Sequence, residues 1–152
     1  MCTENLKRQI ADKMARLCSR SEQCSSDIRK KIKEAGADDE MADHIILFLQ
    51  NGKFLDDVRY AKAYALDKFK FNKWGRIKIR YYLKMKNLPE AVIAEGISAI
   101  DEKHYIRLLQ KIISDKAKTI KKDNIFEKTG QIIRFAQSRG FEPELIHRYL
   151  KI

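Results

Sequence analysis

The sequence has few of the residues that build covalent or metal-bound frameworks. Its 152 residues include three cysteines, Cys2, Cys18 and Cys24, an odd number whose spacing fits neither a disulfide framework nor a zinc site. We interpret them as free thiols in a reducing cytoplasm, with Cys18 and Cys24 as small side chains near a helix end. The six glycines form no glycine-rich loop of the kind that holds nucleotide phosphates.

Long apolar runs and clustered catalytic residue types are also missing. The longest strongly apolar run, Ile45–Leu49, has five residues, whereas a bilayer span needs roughly 18 to 20. The first ten residues mix charged and polar side chains, unlike a signal peptide. The three histidines, His44, His104 and His147, lie far apart and have no nucleophile–base spacing. We therefore predict no catalytic residue, no metal, no cofactor and no membrane partner.

Positive charge is what the sequence has in excess. The formal net charge is +11, which favours binding to a polyanion such as nucleic acid, an acidic protein groove or an anionic membrane. No acidic residue lies between Asp67 and Glu90. The cations within that span are Lys68, Lys70, Lys73, Arg76, Lys78, Arg80, Lys84 and Lys86.

Helical spacing would place three of these cations, Arg76, Arg80 and Lys84, one turn apart on one face. Such a row can follow a phosphate backbone or an acidic ridge, and the alternative is a solvated face that only maintains solubility. The interleaved aromatics Phe69, Phe71, Tyr81 and Tyr82 are predicted to be core residues, whereas Trp74 is left open between the core and a stacking role.

Two other basic stretches give weaker signals. One runs from Lys103 to Lys122 and includes Lys116, but Asp115 and Asp123 dilute it. The other, Arg29-Lys30-Lys31, is soon followed by three acidic residues at positions 38–40. We expect that second region to be a mixed surface, not a continuous basic groove.

One apolar pattern occurs three times and gives the fold. Each copy has an apolar stripe at spacing four, a chain-reversing residue, and a second stripe five residues later, which is typical of a repeated helix–turn–helix. The reversing residues are Gly36, Asn87 and Gly140, and the only two prolines, Pro89 and Pro143, follow the last two of them closely. No strand alternation of useful length occurs.

The sequence therefore predicts an all-α fold of three tandem three-helix, helix-turn-helix-like repeats in an extended, curved array. We predict domains at residues 1–50, 51–100 and 101–152. Local signals set the helix ends: Ser25, Ser26 or Asp27 caps one helix, Asn51-Gly52 ends another in a left-handed turn, and Asp56-Asp57 caps the next.

The second repeat resembles the RecX family of recombination regulators. The resemblance lies in Leu55-Asp56-Asp57-Val58-Arg59-Tyr60-Ala61, then Gly75-x3-Ile79-x3-Leu83 and Lys86-Asn87, and extends upstream to Leu17. The matching residues, which we interpret as mainly structural, are Leu55, Asp56, Asp57, Tyr60, Ala61, Gly75, Ile79 and Leu83. Arg59 lies three residues after Asp56, so it either pairs with that carboxylate or reaches a partner.

The resemblance implies a function without enzymatic activity. RecX proteins bind the RecA–single-stranded DNA filament in its helical groove and inhibit ATP hydrolysis and strand exchange, in DNA repair, homologous recombination and the SOS response. By that likeness the partners are RecA and single-stranded DNA, with double-stranded DNA as a further candidate. We expect a cytoplasmic monomer that uses Arg59 and the basic span.

Two other functions stay open at the level of sequence. A stand-alone DNA-binding helical module would use the same basic span without a recombinase, and its affinity would fall steeply with salt. A helical scaffold for another acidic protein would use its basic residues only to speed association.

Overall fold

Nine α-helices and no strand make up the part of the chain that the computed structural model describes, residues 2–121 and 123–150. Met1, Lys122, Lys151 and Ile152, together with the side chain of Cys2, lie outside the described set. The helices are α1 (Cys2–Arg20), α2 (Ser25–Glu34), α3 (Asp39–Asn51), α4 (Asp57–Asn72), α5 (Arg76–Met85), α6 (Glu90–Ile97), α7 (Glu102–Thr119), α8 (Ile125–Ser138) and α9 (Pro143–Tyr149).

The three predicted repeats are present as three helix triplets, α1–α3, α4–α6 and α7–α9. The turn before the last helix of each triplet contains a residue with positive φ: Gly36 at 108°, Asn87 at 60° and Gly140 at 95°. Glycine and asparagine tolerate this left-handed conformation better than other residues, so the same local chemistry reverses the chain each time. The all-α repeat prediction is confirmed.

Helix ends follow the sequence signals in some places and depart from them in others. Asp38 caps α3 by accepting a hydrogen bond from the backbone N–H of Met41. The turn after α3 was expected to be left-handed at Asn51-Gly52, but Gly52 has φ −81° and Lys53 takes the positive φ of 62°. The left-handed position is one residue later, because Gly52 still hydrogen-bonds back into the last turn of α3.

Two apolar cores hold the triplets together. The first core is formed within α1, α2, α3 and the following Leu55, around fully buried Ile28, Ile32 and Ile45. The second core is continuous from α4 through α9 and contains Ile79, Leu83, Ile93, Tyr105, Leu109, Ile132, Phe141 and Ile146. Cys24, which precedes α2, is fully buried in this second core.

The two cores show that repeats and cores do not correspond one to one. The second and third triplets share apolar side chains, whereas the first triplet contributes Cys24 across the boundary. The division of the chain into domains at residues 1–50, 51–100 and 101–152 remains a prediction.

Candidate nucleic-acid interface

The paired aspartates near residue 56 serve two different helices. Asp56 is the N-cap of α4, and its carboxylate accepts a hydrogen bond from the backbone N–H of Arg59 at 3.1 Å. Asp57 instead accepts from both the backbone N–H and the hydroxyl of Ser25, at 2.8 and 2.5 Å. Because the N-cap of α2, Cys24, makes no side-chain cap bond, Asp57 supplies that cap from the next triplet.

This arrangement corrects the capping expected from the sequence. Ser25, Ser26 and Asp27 were expected to cap α2, but all three lie within its first turn. Their polar groups face the second triplet. We call this contact between the first and second triplets the first joint.

Arg59 completes the first joint through a fork of hydrogen bonds. Its Nε lies 2.5 Å from Glu22 Oε2, and one terminal nitrogen donates to the carbonyls of Lys53 and Phe54 at 3.1 and 3.3 Å. The sequence left open whether Arg59 pairs with the Asp56 carboxylate or reaches a partner. That carboxylate accepts only the backbone N–H of Arg59. Since the guanidinium is engaged within the chain, a contact between Arg59 and a partner remains a prediction.

Lys86 ties the end of α5 to the start of α2. Its Nζ lies 2.8 Å from Asp27 Oδ2, and its carbonyl accepts from the Ser26 hydroxyl at 2.6 Å. Partial burial raises the pKa of the Asp27 carboxyl, but the hydrogen bond and charge of Lys86 outweigh it, and the net pKa lies below the ordinary value. Pairing with Asp27 raises the pKa of Lys86.

A second joint connects the second and third triplets through backbone groups. The N–H of Gly75 donates to the carbonyl of Arg139 at 2.6 Å, and that of Ile77 donates to the carbonyl of Gly140 at 2.9 Å. A Cβ on Gly75 would lie 2.4 Å from the Gly140 carbonyl carbon, so only glycine permits this approach. The N-terminus of α5 is thus capped by the turn between α8 and α9.

Arg76 is also held inside the second joint. Its guanidinium lies 3.8 Å from the centre of the Tyr105 ring and pairs with Glu142 at 2.8 Å and with Glu102. Its backbone N–H donates to the Tyr105 hydroxyl, which itself donates to Glu142. Burial, reinforced by Glu142, raises the pKa of Tyr105.

The predicted row of cations on α5 is largely neutralised. Arg80 pairs with Glu90, and Lys84 lies 3.5 Å from the same carboxylate. With Arg76 held by Glu102 and Glu142, each member of the row has a carboxylate partner. The absence of acidic residues from the span did not predict this neutralisation, because the carboxylates that pair with the row come from α6, α7 and the turn before α9.

Four lysines of the basic span remain without a carboxylate within 4.0 Å among the described residues. These are Lys68, Lys70, Lys73 and Lys78. Two of them flank Trp74, with Lys68 Nζ 5.0 Å and Lys78 Nζ 4.8 Å from its ring. We call the group of Lys68, Trp74 and Lys78 the Trp74 patch.

Aromatic side chains extend this patch. Trp74 stacks on Tyr82 with ring centres 4.9 Å apart, and Tyr81 meets Tyr82 edge-on at 5.2 Å. The prediction that Phe71, Tyr81 and Tyr82 are core residues is wrong, since 71%, 60% and 37% of their surfaces are exposed. The core on that side is already filled by Ile79 and Leu83, so the remaining faces of α4 and α5 point outward. Phe69 and Trp74 pack against the second core, and Trp74 also stacks on Tyr82.

The other matching residues are apolar and structural in placement. Leu55, Ala61, Ile79 and Leu83 are buried, and Tyr60 packs against the second core. Ala61 lies so close to Gly96 that a Cβ there would come within 2.6 Å of it, which allows α4 and α6 to pack tightly.

A basic cleft in the first triplet was missed at the sequence level. It lies between α1 and α2 and has a volume of about 670 Å³. Its charged lining residues are Lys13, Arg16, Arg20, Lys31 and Glu34. The mixed surface expected after Arg29-Lys30-Lys31 is present beside it, where Arg29 and Lys33 pair with Asp39 and Asp43. Helical spacing of Lys13, Arg16 and Arg20 could have indicated the cleft.

Comparison with known proteins identifies the family. Residues 56–97 match the family model described as RecX, second three-helix domain. The chain is 32% identical over 128 residues to "Regulatory protein RecX" of Clostridium botulinum strain Eklund 17B, covering 82% of this chain and 58% of that protein. It is 26% identical to the protein of the same name from Chlorobaculum tepidum, covering 98% and 91%. The chain belongs to the RecX family.

Solved RecX structures share the fold. RecX from Lactobacillus salivarius superposes with a TM-score of 0.90 at 14% identity, covering 97% of this chain and 96% of that one. A second crystal structure, of regulatory protein RecX, gives a TM-score of 0.86 at 20% identity, covering 97% and 73%. The chain spans about half the length of several clostridial relatives, 58% and 51% in two of them.

Two other features of the described residues bear on function. No helix among them combines the length and apolarity that crossing a membrane requires. The same residues contain no group of three or more histidine, cysteine or acidic side chains arranged to hold a metal ion. The relatives are named as regulatory proteins, and the RecX family is not an enzyme family.

Proposed function

We propose that this RecX-family chain regulates the RecA recombinase by binding the RecA–single-stranded DNA filament and inhibiting ATP hydrolysis and strand exchange. The observation that supports this most is the Trp74 patch, in which two lysines without carboxylate partners flank the half-buried Trp74 ring, which stacks on the exposed Tyr82. The family membership supplies the recombinase as partner. No chemical step by the chain itself is needed.

A repeat array suits a filament partner physically. Its three triplets present a surface longer than a compact domain of similar mass, so several weak contacts can act together. The formal net charge of +11 would steer the chain toward an assembly that contains nucleic acid. We expect the chain to act as a cytoplasmic monomer.

Within the basic span we assign the binding contacts to Lys68, Lys70, Lys73 and Lys78. The other candidate cations pair with carboxylates of the chain itself: Arg59, which lies outside the span, and Arg76, Arg80, Lys84 and Lys86 within it. A phosphate would have to displace those carboxylates, so these five contribute less to binding.

The test measures the DNA-dependent ATPase rate of the cognate RecA while the chain is titrated, beside its binding to the same DNA without RecA. Suppression at concentrations too low to coat the bare DNA is the expected result. Unchanged ATPase despite saturating DNA binding would rule the proposal out.

A matched pair of variants locates the site. The double variant K68Q/K78Q removes two unpaired lysines, whereas R80Q/K84Q removes the same charge from residues paired with Glu90. We expect the first to weaken inhibition about tenfold or more, on the order of two lost phosphate contacts, and the second to weaken it less. Equal effects would show that net charge alone matters.

A stand-alone DNA-binding module remains the second candidate. It is favoured by the stacked Trp74 and Tyr82 rings beside Lys68 and Lys78, since aromatic platforms with flanking cations bind single strands. It predicts tight binding to bare DNA and ATPase suppression only when the DNA is fully coated.

A further inference from the structure

A cleft between the second and third triplets carries positive charge that the chain does not balance. It has a volume of about 320 Å³ and lies between the C-terminal half of α7, the end of α8 and Lys73, which follows α4. Its floor includes the Phe135 ring, and its polar lining residues are Lys73, Asp115, Lys116, Thr119 and Arg139. We call it the Phe135 cleft.

Two half-buried cations of this cleft each lie against the Phe135 ring. Lys116 Nζ lies 4.6 Å and Arg139 Cζ 5.1 Å from the centre of the Phe135 ring. Neither has a carboxylate within 4.0 Å among residues 2–121 and 123–150. Because both cations line the same cleft and no carboxylate neutralises them, an anion bound there would be attracted by two charges at once.

The one acidic residue of the lining does not supply that anion. Asp115 pairs with Lys111 at 3.0 Å, one turn earlier on α7. The hydrogen bond from Lys111 lowers the pKa of Asp115, and the charge of Lys73 adds to the effect. Asp115 is therefore engaged mainly by Lys111, and Lys116 and Arg139 have no carboxylate partner of their own.

The cleft adjoins the Trp74 patch. The carbonyl of Arg139 accepts the Gly75 N–H, and Gly75 directly follows Trp74. Lys78 lies against Gly140, where an added Cβ would come within 2.4 Å of the lysine Cβ. A chain of phosphates bound at the patch can therefore continue across the second joint into the cleft.

We propose that the Phe135 cleft binds a backbone phosphate of single-stranded nucleic acid between Lys116 and Arg139, with Lys73 linking it to the Trp74 patch. This inference rests on the proposed function, in which nucleic acid is part of the partner. It adds Lys116 and Arg139, on the third triplet, to an interface otherwise confined to the second.

The test uses the full chain and a fluorescent oligothymidylate, with binding followed by anisotropy over a range of salt concentrations. The variant K116Q/R139Q is compared with K103Q/R107Q, which removes equal charge from α7 outside the cleft lining. Loss of two single-strand phosphate contacts lowers the log–log salt slope by about 1.4 and the affinity about twentyfold at roughly 0.1 M salt. Thermal unfolding of both variants verifies that they are folded.

Several outcomes would overturn the inference. These are equal affinities for the cleft and control variants, no binding of the oligonucleotide by the wild-type chain, and displacement of the oligonucleotide by inorganic phosphate at low millimolar concentration. The last would mark a site for free phosphate. The two proposals can fail separately. If K116Q/R139Q loses oligonucleotide affinity as expected but the wild-type chain leaves the RecA ATPase rate unchanged, the proposed function is refuted and the cleft remains a nucleic-acid site.

Discussion

The two joints between triplets are formed by different kinds of contact. The first joint uses side chains: the carboxylate of Asp57 on Ser25, the guanidinium of Arg59 on Glu22, and the ammonium of Lys86 on Asp27. The second joint also contains ion pairs, those of Arg76, but adds direct backbone contacts between Gly75 and the α8–α9 turn and an apolar core that both triplets share. Side-chain contacts can be lost one at a time, whereas the close packing of two backbone segments is lost in a single step when they separate.

This difference predicts unequal stiffness along the array. Each ion pair of the first joint is partly solvent-exposed, and such pairs contribute little individually. The second joint lies over a core of buried side chains from both triplets, so the second and third triplets should behave as one rigid body. The first triplet is then the part that can change its angle, with Cys24 as its anchor in the second core.

The largest expected effect is on the second joint, through Gly75→Ala. The added methyl would overlap Gly140, where a Cβ would lie 2.4 Å from the carbonyl carbon. Overpacking of this kind costs about 3 kcal/mol. Guanidinium unfolding measures the loss, with Gly36→Ala as the control: it also replaces a turn glycine but meets no atom within 4 Å, so it costs about 1 kcal/mol. Equal losses would mean that the close approach is unimportant.

Asp57→Ala tests the cap that the second triplet supplies to the first. Loss of an N-cap costs about 1 kcal/mol. Hydrogen exchange should show faster exchange at Ser25 and along the first turn of α2. Asp56→Ala is the matched control, because it removes a cap of similar strength from α4 itself. Faster exchange in α4, and not α2, for the Asp57 variant would contradict the assignment.

Arg59→Lys separates a structural from a binding role of the signature arginine. Lysine keeps the charge but cannot reach Glu22 and the two carbonyls together. We expect a loss of stability of about 1 kcal/mol and little change in affinity for the RecA filament, measured at a temperature where the variant is folded. Unchanged stability with lost filament binding would instead make Arg59 a partner contact.

The smallest effect concerns the Asp27–Lys86 pair. The Asp27 pKa is lowered below 3.8 and the Lys86 pKa is raised above 10.5 in the folded chain. The carboxyl therefore contributes stability above about pH 4 that is lost as pH falls through its folded pKa, and the ammonium contributes below about pH 10. Asp27→Asn should cost about 0.5 kcal/mol at pH 7, given solvent screening, and nothing near pH 2. Thermal unfolding at both pH values tests this, and an equal loss at pH 2 would contradict it.

The sequence predicted the repeat architecture because each local signal was repeated. Gly36, Asn87 and Gly140 have the left-handed geometry that their residue types favour, and the apolar positions Ile79 and Leu83 are buried as the helical spacing requires. Helix periodicity and turn chemistry act over a few residues, so a single sequence is enough to reveal them.

The candidate interface could be predicted only in part, because charge pairing is long-range. Arg76, Arg80 and Lys84 fall on one helix as expected, but Glu90, Glu102 and Glu142 pair with them from α6, α7 and the turn before α9. The same limit hid the Phe135 cleft, whose cations come from the end of α4, from α7 and from the residue that follows α8. Which lysines stay unpaired depends on the packing of the triplets.

The trans capping of α2 and α5 bears on how the chain folds as it leaves the ribosome. The backbone N–H of Ser25, at the start of α2, donates to a carboxylate 32 residues downstream. The N–H groups at the start of α5 donate to the turn that contains Gly140. Since chains emerge from the N-terminus at a few residues per second or faster, α2 and α5 would be completed only after their downstream caps, Asp57 and the turn at Gly140, have been translated, whereas α8 is capped by its own Asn124. Synthesis order would therefore set the order in which the joints close, and a pause after the first triplet would leave α2 frayed.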